Sequence, residues 1–189
     1  MFFRRNLPHL HPSEGTFFIT YRLAGTIPIS VLKQMRENTS GIEPDILKDA
    51  FFEDYDAFLD FQANPIKHLS NIDIAELNKK ALHYYDAKEY DLICYCVMSN
   101  HIHVVFKLRA ESKSLTSIMH SIKRFTARES NKILNRQGKF WQEESYDRMV
   151  RDQMELRNTV EYVINNPVKV GLVNNWEDWP HTYVNFDNI

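Results

Sequence analysis

The feature that most constrains the fold is a pair of apolar runs near the middle of the chain, Tyr90–Met98 and His101–Leu108, separated only by Ser99-Asn100. Each run has the length of a strand, and the gap leaves no room for a crossover, so the two are predicted to pair as an antiparallel β-hairpin. Ser99-Asn100 is not the strongest turn pair for such a hairpin. Upstream, Thr16–Leu23 (TFFITYRL) has the β-branched and aromatic content of a first strand. Ile29–Glu37 reads as helical and Asn38–Pro44 as a loop. Asp45–Leu59 carries Phe51, Phe52, Tyr55 and Phe58 at helical spacing, and Asn64-Pro65 breaks the chain. Asp73–Tyr85 predicts a helix with Ile74, Leu77, Ala81 and Leu82 as its apolar stripe and Asp73 as N-cap.

Downstream, Leu115–Leu134 predicts a long basic amphipathic helix with Leu115, Ile118, Ile122, Phe125 and Ile133 inward, stopped by Gly138. Phe140–Gln142 and Ser145–Met149 suggest further strand. Asp152–Asn165 is a helix opened by Asp152 and Glu155 in capping-box spacing and closed before Pro167. The tail, with Trp176, Trp179 and Pro180, reads as an ordered wrap. This order, with a hairpin and no regular βαβ series, implies an α+β fold with an antiparallel sheet. The expected organisation is one domain over 1–189, with a helical insertion at about 34–71 and a C-terminal wrap at about 167–189.

Function classes narrow by elimination. Five glycines and no Walker or dinucleotide fingerprint argue against a glycine-rich phosphate loop. Cys94 and Cys96 lie two apart on a strand, point the same way, and read as buried thiols rather than a disulfide. No leader or membrane span is evident in the sequence, which predicts a cytoplasmic protein. The net charge of −2 hides a strong polarity: seven acids and one lysine occupy Glu43–Asp60, whereas seven bases and one acid occupy Ser112–Lys139. That basic stretch could meet nucleic-acid phosphates or form a solvated charged face.

The residues that could carry chemistry lie on the hairpin and on the helix after Asp152. His101 and His103 alternate with Ile102, so both imidazoles leave one face of the strand. Alone, the pair could be structural histidines, and two ligands do not make a metal site. On the later helix Leu156, Val160, Val163 and Ile164 form the apolar arc, with Tyr162 nearly opposite and Asn166 one turn on. Tyr162 could pack on a neighbouring element, and Pro167 disfavours helical geometry at Asn166. If the groups converge, a cation held by the two histidines and the amide would face a tyrosine able to attack phosphorus.

Taken together, MSNHIHVVF (98–106) resembles the HUH motif, histidine–hydrophobic–histidine, of single-tyrosine transposases. RRNLPHLHPSEGTFFITYRLAGTIP (4–28), FWQEESYDRMVRD (140–152), EYVINNPVKVGLV (161–173) and WEDWP (176–180) resemble the REP-associated branch. The resemblance is weakest over about 34–71. It implies a ferredoxin-like core with a central antiparallel sheet, helices on one or both faces, and the histidines on a central strand. It further implies Tyr162 as nucleophile, His101, His103 and Asn166 as ligands of Mg²⁺ or Mn²⁺, and single-stranded or hairpin DNA as partner. Some relatives have glutamine where Asn166 stands. The implied reaction leaves a 5′-phosphotyrosine and a free 3′-OH. Arg4, Arg5, Arg22, Lys123, Arg124 and Arg128 are the candidate DNA contacts, chosen on charge and position. Monomer and homodimer are both compatible with the resemblance, and a hairpin-binding protein without cleavage or a small metal-dependent hydrolase are the competing readings.

Overall fold

The computed structural model describes residues 3–4, 8–9, 14–38, 44–61 and 64–189. The short strands β1 (Phe3–Arg4) and β2 (Pro8–His9) pair with each other. Next come β3 (Gly15–Arg22), α1 (Ile29–Asn38), α2 (Pro44–Asp60), α3 (Ile72–Tyr85), β4 (Tyr90–Val97) and β5 (His101–Leu108). The chain continues through α4 (Leu115–Ile133), β6 (Tyr146–Val150), α5 (Gln153–Lys169) and β7 (Thr182–Val184). The main sheet has the order β6-β3-β5-β4-β7, antiparallel throughout. Without β7, the path β3-α3-β4-β5-α4-β6 is the βαββαβ arrangement of a ferredoxin-like fold. Helices α1 and α2 are inserted between its first strand and first helix.

The predicted hairpin is present, closed by Met98 N–H donating to His101 O at 2.9 Å. Neither turn residue has positive φ, so this is not one of the primed turns that hairpins favour. The turn is held from outside: Leu69 N–H donates to Ser99 O at 3.0 Å and Leu23 N–H to Asn100 O at 2.9 Å. A bulge in β4 sets Leu92 to Cys94 against neighbouring residues Phe106 and Val105. The bulge shifts side-chain parity, so Leu92, Tyr95 and Val97 share one face while Ile93, Cys94 and Cys96 share the other.

Each sheet face has its own core. Phe17, Ile19, Tyr21, Ile102, Val104 and Phe106 pack beneath α3 and α4. Phe18, Val105 and the two free, buried cysteines pack beneath α5 and α2. His101 and His103 alternate with the first set and therefore face α5 and α2.

Local outcomes correct four sequence expectations. The N-cap of α3 is Asn71, whose side chain accepts from the N–H groups of Asp73 and Ile74; Asp73 sits in the first turn, where its charge suits the helix dipole. The buried stripe of α4 runs through Thr126 and Ser130, leaving Phe125 44% and Ile133 43% exposed. Thr126 can lie inward because its hydroxyl donates to Ile122 O and accepts from Trp141 Nε1, each at 2.8 Å. Trp141 itself makes only an isolated bridge with Leu23 rather than a strand. Finally, α5 does not stop before Pro167 but continues to Lys169. Pro167 removes one ladder hydrogen bond, while Val170 N–H to Asn166 O, Gly171 N–H to Val168 O and Leu172 N–H to Pro167 O secure the last turn. The predicted loop at 38–44 falls mostly outside the described residues, and no described helix is long and apolar enough to cross a membrane.

Candidate active site

Three potential ligand atoms converge on the face of the sheet beneath α5 and α2. Nε2 of His101 and Nε2 of His103 stand 3.0 Å apart, and Oδ1 of Asp56 lies 3.3 Å from Nε2 of His103. The hydrogen-bond network around them fixes one tautomer. Asn100 Nδ2 donates to Leu59 O at 2.9 Å, which leaves Asn100 Oδ1 as an acceptor. Nδ1 of His101, 2.6 Å from that oxygen, must then carry the proton, and Nε2 keeps its lone pair. Nδ1 of His103 meets Thr20 Oγ1 at 2.7 Å, a hydroxyl that can accept or donate. With a proton on Nδ1, His103 also presents a bare Nε2. Burial, with His103 beside it, holds His101 well below its ordinary pKa, so it is neutral.

Tyr162 joins this cluster through Asp56. Its hydroxyl donates to Asp56 Oδ2, and its ring packs edge-on against Phe18, Phe52 and His103, with centroids 6.1, 5.6 and 5.6 Å away. Asn166 follows one helical turn later, fully buried, with its side-chain amide beside the Tyr162 hydroxyl. Lys169 Nζ lies 2.8 Å from Oδ2 of both Asp56 and Asp60. Burial would raise the pKa of Asp56, but contacts with His103, His101 and Lys169 outweigh it and hold the carboxyl below the usual range. Burial and then the Asp56 charge raise both Asp60 and the Tyr162 phenol. Tyr162 is therefore protonated at neutral pH.

The donor set fits a divalent cation. One carboxylate oxygen and two imidazole nitrogens lie within 4.8 Å of one another, and with both rings protonated at Nδ1 all three would present lone pairs to a cation among them. The buried amide of Asn166, one turn after Tyr162, could add a fourth donor, an oxygen suited to a hard cation.

Asp56 is the residue that sequence reasoning missed. The signal was there in part: Asp56 sits between Phe52 and Leu59, four residues before and three after, and so interrupts an apolar helical stripe. The candidate DNA contacts fare unequally. Arg22 is 2% exposed; its guanidinium donates to Tyr55 Oη and Thr26 Oγ1, each at 3.1 Å, because its position on β3 points it under α2. Lys123 is half-buried and donates to Glu143 O and Ser145 Oγ. Arg124 and Arg128 lie on the exposed face of α4, with Arg128 paired to Glu129 at 2.6 Å. Arg5 lies outside the described residues, as does the side chain of Arg4.

Fold and site together define a ferredoxin-like domain in which a His-x-His pair on a central strand faces a helix-borne tyrosine. The chain belongs to the IS200-like transposase family, whose model matches residues 66–166, more than half of the sequence. His101, His103, Tyr162 and Asn166 lie inside that match, whereas Asp56 and Lys169 lie outside it. A Haemophilus influenzae protein bearing the provisional name REP-associated tyrosine transposase is 24% identical over 102 residues, covering 49% of this chain and 58% of that protein. The chain thus matches little more than half the length of that relative. A solved REP-associated tyrosine transposase, bound to a REP hairpin, superposes with a TM-score of 0.55 at 18% identity, covering 95% of this chain and 80% of that one. That likeness is one of fold.

Proposed function

We propose that the chain is a metal-dependent single-stranded DNA endonuclease and strand transferase that cuts hairpin-associated DNA through Tyr162. The observation that carries this reading is the single carboxylate, Asp56, that bridges the Tyr162 hydroxyl and the histidine pair. Tyr162 Oη attacks the phosphorus while its proton passes to Asp56 Oδ2, the atom it already contacts. The P–O3′ bond breaks, leaving a 5′-phosphotyrosine and, once protonated, a free 3′-OH. Because the phosphodiester energy is conserved in the adduct, a second 3′-OH can reverse the step and join strands. His101, His103, Asp56 and Asn166 would hold Mg²⁺ or Mn²⁺, which when bound supplies Lewis-acid stabilisation of a phosphoryl oxygen. The packing of Tyr162 against His103 of its own chain supports a site complete within one monomer.

The exposed face of α4, with Arg124 and Arg128, is the proposed phosphate-contacting surface. Incubation with hairpin oligonucleotides and Mn²⁺ should give a covalent protein–DNA adduct on a denaturing gel, abolished in Tyr162→Phe. An adduct equally strong in that variant would refute the nucleophile. One observation favours a second reading: Asp56, His101, His103 and Asn166 are each no more than 1% exposed. A hairpin-binding protein without cleavage would bind DNA in a salt-sensitive way, indifferent to chelator and to Tyr162→Phe.

A further inference from the structure

Lys169 has no part in the cation site or the nucleophile, yet it stands beside both. It ends α5 on the face that carries Tyr162 and Asn166, at spacings of seven and three residues. Its side chain is 48% exposed, against 2% for Asp56 and 9% for Asp60. Lys169 Nζ and Tyr162 Oη contact the same oxygen, Asp56 Oδ2, so they lie no more than two hydrogen-bond lengths apart, roughly 6 Å. With Asn158, Glu161, Tyr162, Asn165 and Val168, Lys169 lines an open cavity of about 630 Å³ on the outer side of α5. Lys169 is the one cation among those lining residues.

Charge in that cavity is otherwise hostile to DNA. Glu161 lines it, and Asp56 and Asp60 stand behind Lys169, so a phosphodiester approaching Tyr162 meets acids wherever Lys169 does not cover them. The two contacts of Lys169 are also unequal. Lys169 lies 2.8 Å from each carboxylate, but Asp56 is 2% exposed and is held by Tyr162 and His103 as well, which leaves the 9% exposed Asp60 as the looser contact. That is the contact most easily exchanged for another oxyanion.

Building on the proposed function, we propose that Lys169 is a further catalytic residue that receives the scissile phosphate. Its ammonium turns from Asp60 to a non-bridging phosphate oxygen while keeping Asp56, which sets the phosphorus in front of Tyr162 Oη. Lys169 makes and breaks no covalent bond and keeps its charge throughout; it acts by position and electrostatics.

Two oligonucleotides test this, both the same hairpin with its single-stranded arm ending at the cleavage position mapped with the wild-type protein. One ends in a 3′-OH and the other in a 3′-phosphate. Neither has a downstream strand to release. In Mg²⁺ buffer the wild type should bind the phosphate-ended form about tenfold more tightly. Lys169→Met should lose that gain while binding the 3′-OH form as well as the wild type does, and Lys169→Arg should retain most of it. On an intact hairpin substrate, Lys169→Met should slow adduct formation by about 100-fold. Equal weakening on both oligonucleotides would mean that Lys169 only ties α2 to α5, and would overturn the proposal. An unchanged gain in Lys169→Met, or no gain in the wild type, would overturn it too. Absence of any wild-type adduct would instead sink the proposed function, and this inference with it.

Discussion

Oδ1 of Asp56 lies 3.3 Å from Nε2 of His103, although α3 and β4 separate the two residues in sequence. That contact brings a carboxylate from an inserted helix onto a histidine pair from the central strand. If Asp56 completes a cation site, Asp56→Ala should weaken Mn²⁺ binding at least about tenfold, as read by titration with electron paramagnetic resonance on the DNA-free protein. The thermal stabilisation that saturating Mn²⁺ gives the wild type should shrink in parallel. Unchanged Mn²⁺ affinity in Asp56→Ala would leave the cation to the histidines and Asn166.

Arg22 and Arg124 should part company under mutation. Arg22 is buried with two hydrogen bonds to Tyr55 and Thr26, so Arg22→Ala should cost on the order of 2–4 kcal/mol of stability in denaturant titrations. Its loss should leave the salt dependence of DNA binding unaltered. Arg124→Ala, on an exposed helix face, should stay within about 0.5 kcal/mol of wild-type stability. If Arg124 meets a phosphate, the slope of log K against log salt should fall by about one. The reverse pattern would relocate the DNA surface.

Lys123 offers a pH signature. Burial, and then the nearby charge of Arg22, push its pKa down to about 8, against about 10.4 in an unfolded chain. Between those values the unfolded chain binds the proton and the folded chain does not, so the Lys123 contribution to stability rises with pH across that window. The stability difference between the wild type and Lys123→Met, from urea midpoints at about pH 7.5 to 10, should therefore climb in favour of the wild type, by at most about 1.4 kcal/mol per pH unit. A flat difference would show that Lys123 titrates alike in both states.

The Trp141–Thr126 hydrogen bond should behave as a coupled pair. Trp141→Phe and Thr126→Val each strand a buried partner and should cost about 1–3 kcal/mol. The double variant should cost less than the sum by about 1 kcal/mol. Strict additivity in chemical denaturation would mean that the bond adds nothing.

Several features are legible in the residues themselves. The hairpin follows from two apolar runs with no room between them, and period-two alternation alone puts His101 and His103 on one face. The arc of Leu156, Val160, Val163 and Ile164 likewise fixes how α5 docks, because helical spacing of apolar groups is a local property. Phe125 departs from its expected inward place for a converse reason. Hydrophobicity favours it over Thr126, yet Trp141 supplies the inward threonine with a hydrogen bond that no local pattern encodes.

The sequence by itself determined which residue types stand at which local angles: two imidazoles on a strand, a phenol and an amide one turn apart, and a basic helix. Only the tertiary structure decided which of these groups meet. It placed Asp56, a residue that in sequence reads as one acid among seven, between the Tyr162 hydroxyl and the histidines. It turned Arg22 into an internal bracket and carried α5 past Pro167, so that Lys169 reached Asp56 and Asp60. The physical reason is the same in each case. Periodicity says which way a side chain leaves its own element, but charges and hydrogen-bonding groups act over a few ångströms across elements, and those distances exist only once the chain has packed.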